Sequence, residues 1–64
     1  FRRSLYFVKD INEGEVIKED CVRRIRPGFG LDAKYYDLVI GAKCLMSAKR
    51  GDRVTLKHFD VSND

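Results

Sequence analysis

Two glycine turns spaced 37 residues apart constrain the fold of this chain more than any other feature. Gly14 and Gly51 each follow a charged residue and precede an acidic one. Aligning the two glycines also pairs Val8 with Leu45, Ile11 with Ala48, Glu15 with Asp52, Ile17 with Val54, and Val22 with Phe59. This pattern predicts two similar lobes about a pseudo-twofold axis. Because glycine is the only identity among these positions, chance similarity between two turns stays open as an alternative.

The length of the chain limits it to one small domain with a single core. Its 64 residues, 44% of them hydrophobic, are too apolar for disorder and too few to enclose a deep substrate pocket. We therefore expect no catalysis from this domain alone. The longest apolar run, Leu38-Val39-Ile40, is far shorter than the roughly 20 residues of a membrane span, so we expect a cytoplasmic protein. A first residue Phe1 suggests a domain, 1–64, excised from a longer chain.

The residue pattern predicts mainly β structure with short helices. We expect strands over 4–8, 23–26, 43–47 and 54–56, and one helical turn over 18–22. A helix is predicted over 33–40, with Asp32 as its N-cap and Gly41 as its C-terminal stop. Tyr35 should lie in the core and Tyr36 should be largely exposed. The predicted core comprises Leu5, Phe7, Ile11, Ile17, Val22, Ile25, Leu38, Val39, Leu45 and Val54.

The remaining reactive side chains form no recognisable metal or catalytic pattern. Cys21, Cys44 and His58 lack the close paired spacing of zinc ligands, so no metal site is predicted. The two cysteines are expected to be free buried thiols. His58 has no nucleophile patterned beside it, and we expect it on the surface or half-buried.

Arg26-Pro27-Gly28-Phe29-Gly30 is the most specific segment of the sequence. Pro27 fixes its own φ and favours an extended Arg26, while Gly28 suits the positive φ of a type II turn. Strand alternation places Arg24 and Arg26 on one face and Ile25 on the other, so Ile25 can anchor the core. A guanidinium on a stiff turn suits directional recognition of a carbonyl or anion. Equally, Arg26 can be an ordinary solvated arginine at a strand end.

The chain resembles the C-terminal antifreeze-like domain of sialic acid synthases, a member of the SAF superfamily that is also similar to type III fish antifreeze proteins. The resemblance covers nearly the whole chain. It rests on Arg3-Ser4-Leu5, Lys9-Asp10-Ile11 with Gly14, Ile25-Arg26-Pro27-Gly28-Phe29-Gly30-Leu31, Lys34-Tyr35-Tyr36, Gly41 and Lys49-Arg50-Gly51. It implies a β-clip fold of short strands and single-turn helices with an internal pseudo-twofold.

The resemblance also implies a function for the parent protein. Such synthases condense phosphoenolpyruvate with an N-acetylated amino sugar in a metal-dependent (β/α)8 barrel that precedes this domain, making the parent an N-acetylneuraminate synthase-type transferase. The domain itself would be non-catalytic, without a cofactor, and would cover the barrel of the other subunit in a domain-swapped homodimer. Arg26 would contact the amino sugar, with Pro27 and Gly28 forming the turn behind it. Phe29 would cover part of the same site, or it would pack in the core or in the turn.

Three further expectations concern the subgroup and the competing functions. Gly30-Leu31 followed by Lys34-Tyr35-Tyr36 is closer to the pseudaminic or legionaminic acid synthase branch than to vertebrate-type enzymes. The alternative function is a small basic nucleic-acid-binding module, because the net charge is +3 and Arg23, Arg24 and Arg26 lie close together in sequence with Lys34 nearby. Ice binding conflicts with a chain in which 36% of residues are charged.

Overall fold

The computed structural model describes residues 3–26 and 28–60. Within them, an antiparallel two-stranded sheet joins β1 (Ser4–Phe7) to β2 (Val22–Ile25), with Ser4 opposite Ile25 and Phe7 opposite Val22. The predicted first strand and the strand after residue 22 are thus confirmed. The predicted turn over 18–22 is a 3₁₀ helix, Glu19–Cys21. No helix among these residues has the length and apolar character needed to cross a membrane.

The predicted helix over 33–40 is shorter and less regular than its sequence pattern indicates. A 3₁₀ helix, Ala33–Tyr35, leads directly into α1 (Tyr36–Val39). The Asp32 side chain accepts a hydrogen bond from the Lys34 N–H at 2.9 Å, which confirms the predicted N-cap. Gly41 has a φ of +92°, as expected of a residue in the left-handed region that follows a helix.

The predicted strands over 43–47 and 54–56 do not form. In their place, single antiparallel bridges join Lys43 to Val16, Ala48 to Ile11, and Arg53 to Tyr6. Backbone hydrogen bonds continue beside these bridges, such as those from the Ile17 N–H to the Ala42 carbonyl and from the Val54 N–H to the Leu5 carbonyl, but each bridge stays isolated and no strand forms. The apolar residues of these segments are still used, since Cys44, Ala48 and Val54 are buried.

The core contains most of the predicted residues but differs from the prediction at its edges. Its members are Leu5, Phe7, Ile11, Ile17, Val22, Val39, Cys44, Ala48, Val54 and Phe59. The prediction was wrong for Ile25, Leu38 and Leu45, which are exposed. Tyr36 packs against the core, contrary to its predicted exposure, whereas Tyr35 is half-buried outside it.

Hydrogen bonds recur in the two halves of the chain at the predicted offset of 37 residues. The Phe7 N–H donates to the Asp52 carbonyl at 2.8 Å, and at the equivalent positions the Cys44 N–H donates to the Glu15 carbonyl at 2.7 Å. Ile11 and Ala48 exchange two hydrogen bonds, each 2.9 Å long, with one another. Each half therefore completes its hydrogen bonding with groups from the other.

The two glycine turns also have matching local structure. Gly14 and Gly51 have φ values of +93° and +97°, which residues with a side chain rarely adopt. The acidic residue after each glycine accepts a hydrogen bond from a backbone N–H three residues before it, from Asn12 to Glu15 and from Lys49 to Asp52. The glycine and its acidic neighbour are thus required by the same turn in both halves.

Candidate functional site

The structure places Arg26 and Phe29 at the surface, in the loop that follows β2. Both residues are exposed, and 70% of Phe29 is accessible. Arg26 makes no hydrogen bond or ion pair with another described residue, so its guanidinium can meet an outside molecule. The exposure of Phe29 rules out the core-packing role that the sequence left open for it. Pro27 lies outside the described residues.

Gly28 is required because the loop passes directly over a buried strand residue. A Cβ at this position would overlap the side chain of Ser4, which is wholly buried in β1. The Ser4 hydroxyl in turn donates to the Gly30 carbonyl at 3.2 Å. The predicted type II turn includes residue 27 and therefore stays a prediction, but close approach of two backbone segments is a sufficient reason for glycine.

The alternation of β2 was predicted with the correct period and the wrong orientation. Val22 is buried opposite Phe7, so the face shared by Val22, Arg24 and Arg26 begins at the core. Ile25 lies on the opposite face and cannot anchor the core. Arg24 is occupied, because its guanidinium carbon lies 3.9 Å from the centre of the Tyr36 ring. Arg26 is therefore the arginine of this face that remains free to contact a ligand.

A shallow groove of about 470 Å³ lies beside the loop. Phe29, Met46 and Leu56 give it an apolar lining, and each of them is substantially exposed. Arg53 and His58 contribute its polar part, while Arg26 is outside it. The structure thus brings Phe29 into a groove but does not bring Arg26 into the same lining. Sequence reasoning did not identify this groove, since its residues come from three separate segments.

His58 is buried and structural, more deeply than the surface or half-buried position predicted from the sequence. Its ring meets Phe7 edge-on with centroids 4.9 Å apart, and its Nδ1 accepts a hydrogen bond from the Thr55 N–H at 3.0 Å. Burial lowers the pKa of His58 below its ordinary value, because the charged imidazolium loses solvation. Because Nδ1 accepts the Thr55 N–H, the neutral ring carries its proton on Nε2, and His58 is suited to holding the 55–58 turn.

Both cysteines are free thiols, but the predicted burial holds for Cys44 and not for Cys21. Cys44 is buried and its thiol donates to the Met46 carbonyl at 3.1 Å, while Cys21 is half-buried. Across residues 3–26 and 28–60, no three acidic, histidine or cysteine side chains lie close enough together to hold a metal ion.

Comparisons with known proteins give a family and several relatives for this chain. The family model described as "SAF domain" matches residues 2–60. A pseudaminic acid synthase of Campylobacter jejuni serotype O:2 is 46% identical over 59 residues, which are 92% of this chain and 17% of the relative. The corresponding synthase of serotype O:23/36 is 41% identical over the same shares. That of Helicobacter pylori is 42% identical over 43 residues, 67% of this chain and 13% of the relative.

These relatives are much longer than the present chain, which spans about a sixth of their length. Their name matches one of the two synthase branches expected from the sequence. Because the family model extends over every described residue, including both glycine turns and the Arg26 loop, the chain belongs to the SAF domain family.

Proposed function

We propose that this chain is the substrate-capping domain of a nonulosonic acid synthase. The parent protein would condense phosphoenolpyruvate with an N-acetylated amino sugar of the kind that leads to pseudaminic acid. This domain would follow a metal-dependent barrel and cover the barrel of the other subunit in a domain-swapped homodimer. The family match and the three pseudaminic acid synthase relatives support the proposal.

One observation about this chain carries the proposal: an exposed guanidinium stands at the end of β2, next to an anchored loop. Arg26 directly follows Ile25, which is paired with Ser4. Phe29 lies three residues further on and exposes most of its side chain. A planar cation and an apolar ring on one short loop suit a sugar that carries hydroxyl, carbonyl and acetyl groups. Pro27 and Gly28 complete this proposed binding segment.

The proposed fold is a β-clip whose two lobes are related by a pseudo-twofold axis. Its support is the exchange of hydrogen bonds at the offset of 37 residues. Equivalent hydrogen bonds also recur inside each half: the Val8 N–H donates to the Cys21 carbonyl and the Leu45 N–H donates to the His58 carbonyl, each at 2.8 Å. Repetition of the same bonds at one offset is what a twofold relation between the lobes requires.

The test is Arg26→Ala in the full-length synthase, compared with Arg24→Ala. We expect Arg26→Ala to lower kcat/KM by about 10²-fold or more, equivalent to about 2.7 kcal/mol of transition-state stabilisation. Arg24→Ala removes the same charge from the same face, but from a side chain already stacked on Tyr36, and should lose much less. Wild-type turnover in the Arg26 variant would refute the capping role.

The nucleic-acid alternative is less well supported by the geometry. Alternation along β2 turns Arg23 to the face opposite Arg24 and Arg26, and Arg24 is engaged with Tyr36. The basic residues therefore do not form one continuous patch. Titration with DNA or RNA at physiological salt should give only weak, sequence-independent binding; submicromolar, site-specific binding would favour the alternative.

A further inference from the structure

The backbone of Phe29 is held from both sides by two side chains that no sequence motif singled out. The Phe29 N–H donates to the Tyr6 hydroxyl at 3.1 Å. The Phe29 carbonyl accepts a hydrogen bond from Arg53 Nη1 at 3.3 Å. Both bonds are made to the main chain, so the exposed Phe29 ring remains available for contact. We name this arrangement of Tyr6 and Arg53 the loop anchor.

The two side chains of the loop anchor are themselves mounted on paired backbone. Tyr6 lies in β1 opposite Arg23, and it also forms an antiparallel bridge with Arg53. Leu5 and Phe7, which flank Tyr6, are fully buried, so the Tyr6 side chain is turned away from the core. The backbone that carries the Tyr6 and Arg53 side chains is therefore held in place, although both side chains act at the surface.

The residues after Phe29 are fastened to the same two segments. Leu31 donates its N–H to the Val54 carbonyl at 2.9 Å and accepts the Leu5 N–H at 2.9 Å. The Ser4 hydroxyl binds the Gly30 carbonyl. The part of the loop around Phe29 is instead held by the side chains of Tyr6 and Arg53. These two side chains lie outside the core, so they can be substituted without disturbing it.

We propose that Tyr6 and Arg53 are positioning residues for amino-sugar binding. They fix the Phe29 peptide groups in the geometry in which the Phe29 ring and Arg26 bind the sugar together. This inference rests on the proposed function of the 26–29 segment. A rigidly supported loop matters because small misplacements of a binding group can cost large factors in rate.

The first experiment measures Tyr6→Phe in the full-length synthase. This change removes the hydroxyl and keeps the ring. We expect the KM for the amino sugar to rise about tenfold, as for the loss of one well-placed hydrogen bond, with the KM for phosphoenolpyruvate unchanged. The melting temperature should change little. A purely structural role for Tyr6 would lower the melting temperature without a selective effect on the sugar.

The matched control is Tyr35→Phe, which removes a hydroxyl that bonds to no other described residue. It should leave both KM values unchanged. At the other side of the loop, Arg53→Ala should raise the KM for the sugar, and Arg53→Lys should restore it in part because lysine keeps a charged donor. Arg50→Ala, the loss of a nearby exposed arginine, should have no such effect.

A double variant separates this inference from the proposed function. In an Arg26→Ala background, Tyr6→Phe should add less than about a twofold change, because residues that act through one contact are not additive. If Arg26→Ala is impaired but Tyr6→Phe behaves as wild type, or if the two effects are fully additive, the loop anchor is refuted while the capping role stands. If Arg26→Ala behaves as wild type, the capping role itself falls.

Discussion

Phe29 and Phe59 make the sharpest test of this structure, because the same substitution should greatly destabilise the domain at one site and hardly at all at the other. Phe59 is 1% exposed and belongs to the core, whereas Phe29 is 70% exposed. Truncating a buried phenylalanine to alanine costs about 3–5 kcal/mol, while exposed positions usually change by about 0.5 kcal/mol or less. The expected gap between the two variants is therefore several kcal/mol.

That gap is large relative to the total stability of the domain. At about 0.05–0.15 kcal/mol per residue, a chain of 64 residues is stable by about 3–10 kcal/mol. Phe59→Ala should therefore remove a large fraction of the free energy of unfolding and lower the melting temperature by about 15 °C or more. Phe29→Ala should melt within a few degrees of the wild type.

Thermal unfolding of the 64-residue domain, followed by circular dichroism, measures both variants under one set of conditions. Phe59→Leu is the intermediate case, since it keeps much of the buried volume and should recover most of the loss. Equal melting temperatures for Phe59→Ala and Phe29→Ala would refute the assignment of one ring to the core and the other to the surface.

Two further predictions concern titratable groups. The folded-state pKa of His58 is lowered by burial, so the unfolded chain binds the proton more readily and the free energy of unfolding should fall as the pH drops below about 6.5. His58 is the only histidine, and His58→Gln should flatten this dependence in urea titrations between pH 7.5 and 5.5; stability that rises on acidification would contradict its burial. Thiol reagents should modify Cys21 before Cys44, which is buried and should react only as the domain opens. Equal reaction rates for Cys21 and Cys44 would contradict the burial of Cys44.

Local signals in the sequence were sufficient where a structure depends on neighbouring residues. The N-cap at Asp32 and the glycine turns follow from backbone preferences that act over three or four residues. The repeat of 37 residues was also readable, since the two turns impose the same requirements twice. Arg26 is exposed directly after the end of β2, while its role as a site residue stays a prediction.

The remaining features depend on pairing between distant segments. Ile25 has an apolar side chain typical of a core. Because Val22 is buried opposite Phe7, Ile25 lies on the other face of β2 and is exposed. The segment around Val54 has the composition of a strand, yet it pairs with β1 through an isolated bridge between Arg53 and Tyr6 and the hydrogen bonds beside it, and no strand forms there. Tyr6 and Arg53 are 47 positions apart, so no local pattern could have indicated that both bind Phe29.

The reciprocal hydrogen bonds between the two halves have a kinetic consequence. Ile11 can pair with Ala48 only after the chain between them has closed into a large loop, and the turn at Gly14 likewise needs the carbonyl of Cys44. Domains dominated by contacts between distant residues fold in milliseconds to seconds, far more slowly than helical bundles of similar size. Neither half can complete its backbone hydrogen bonds alone, so a ribosome must release nearly the entire domain before any of it becomes stable.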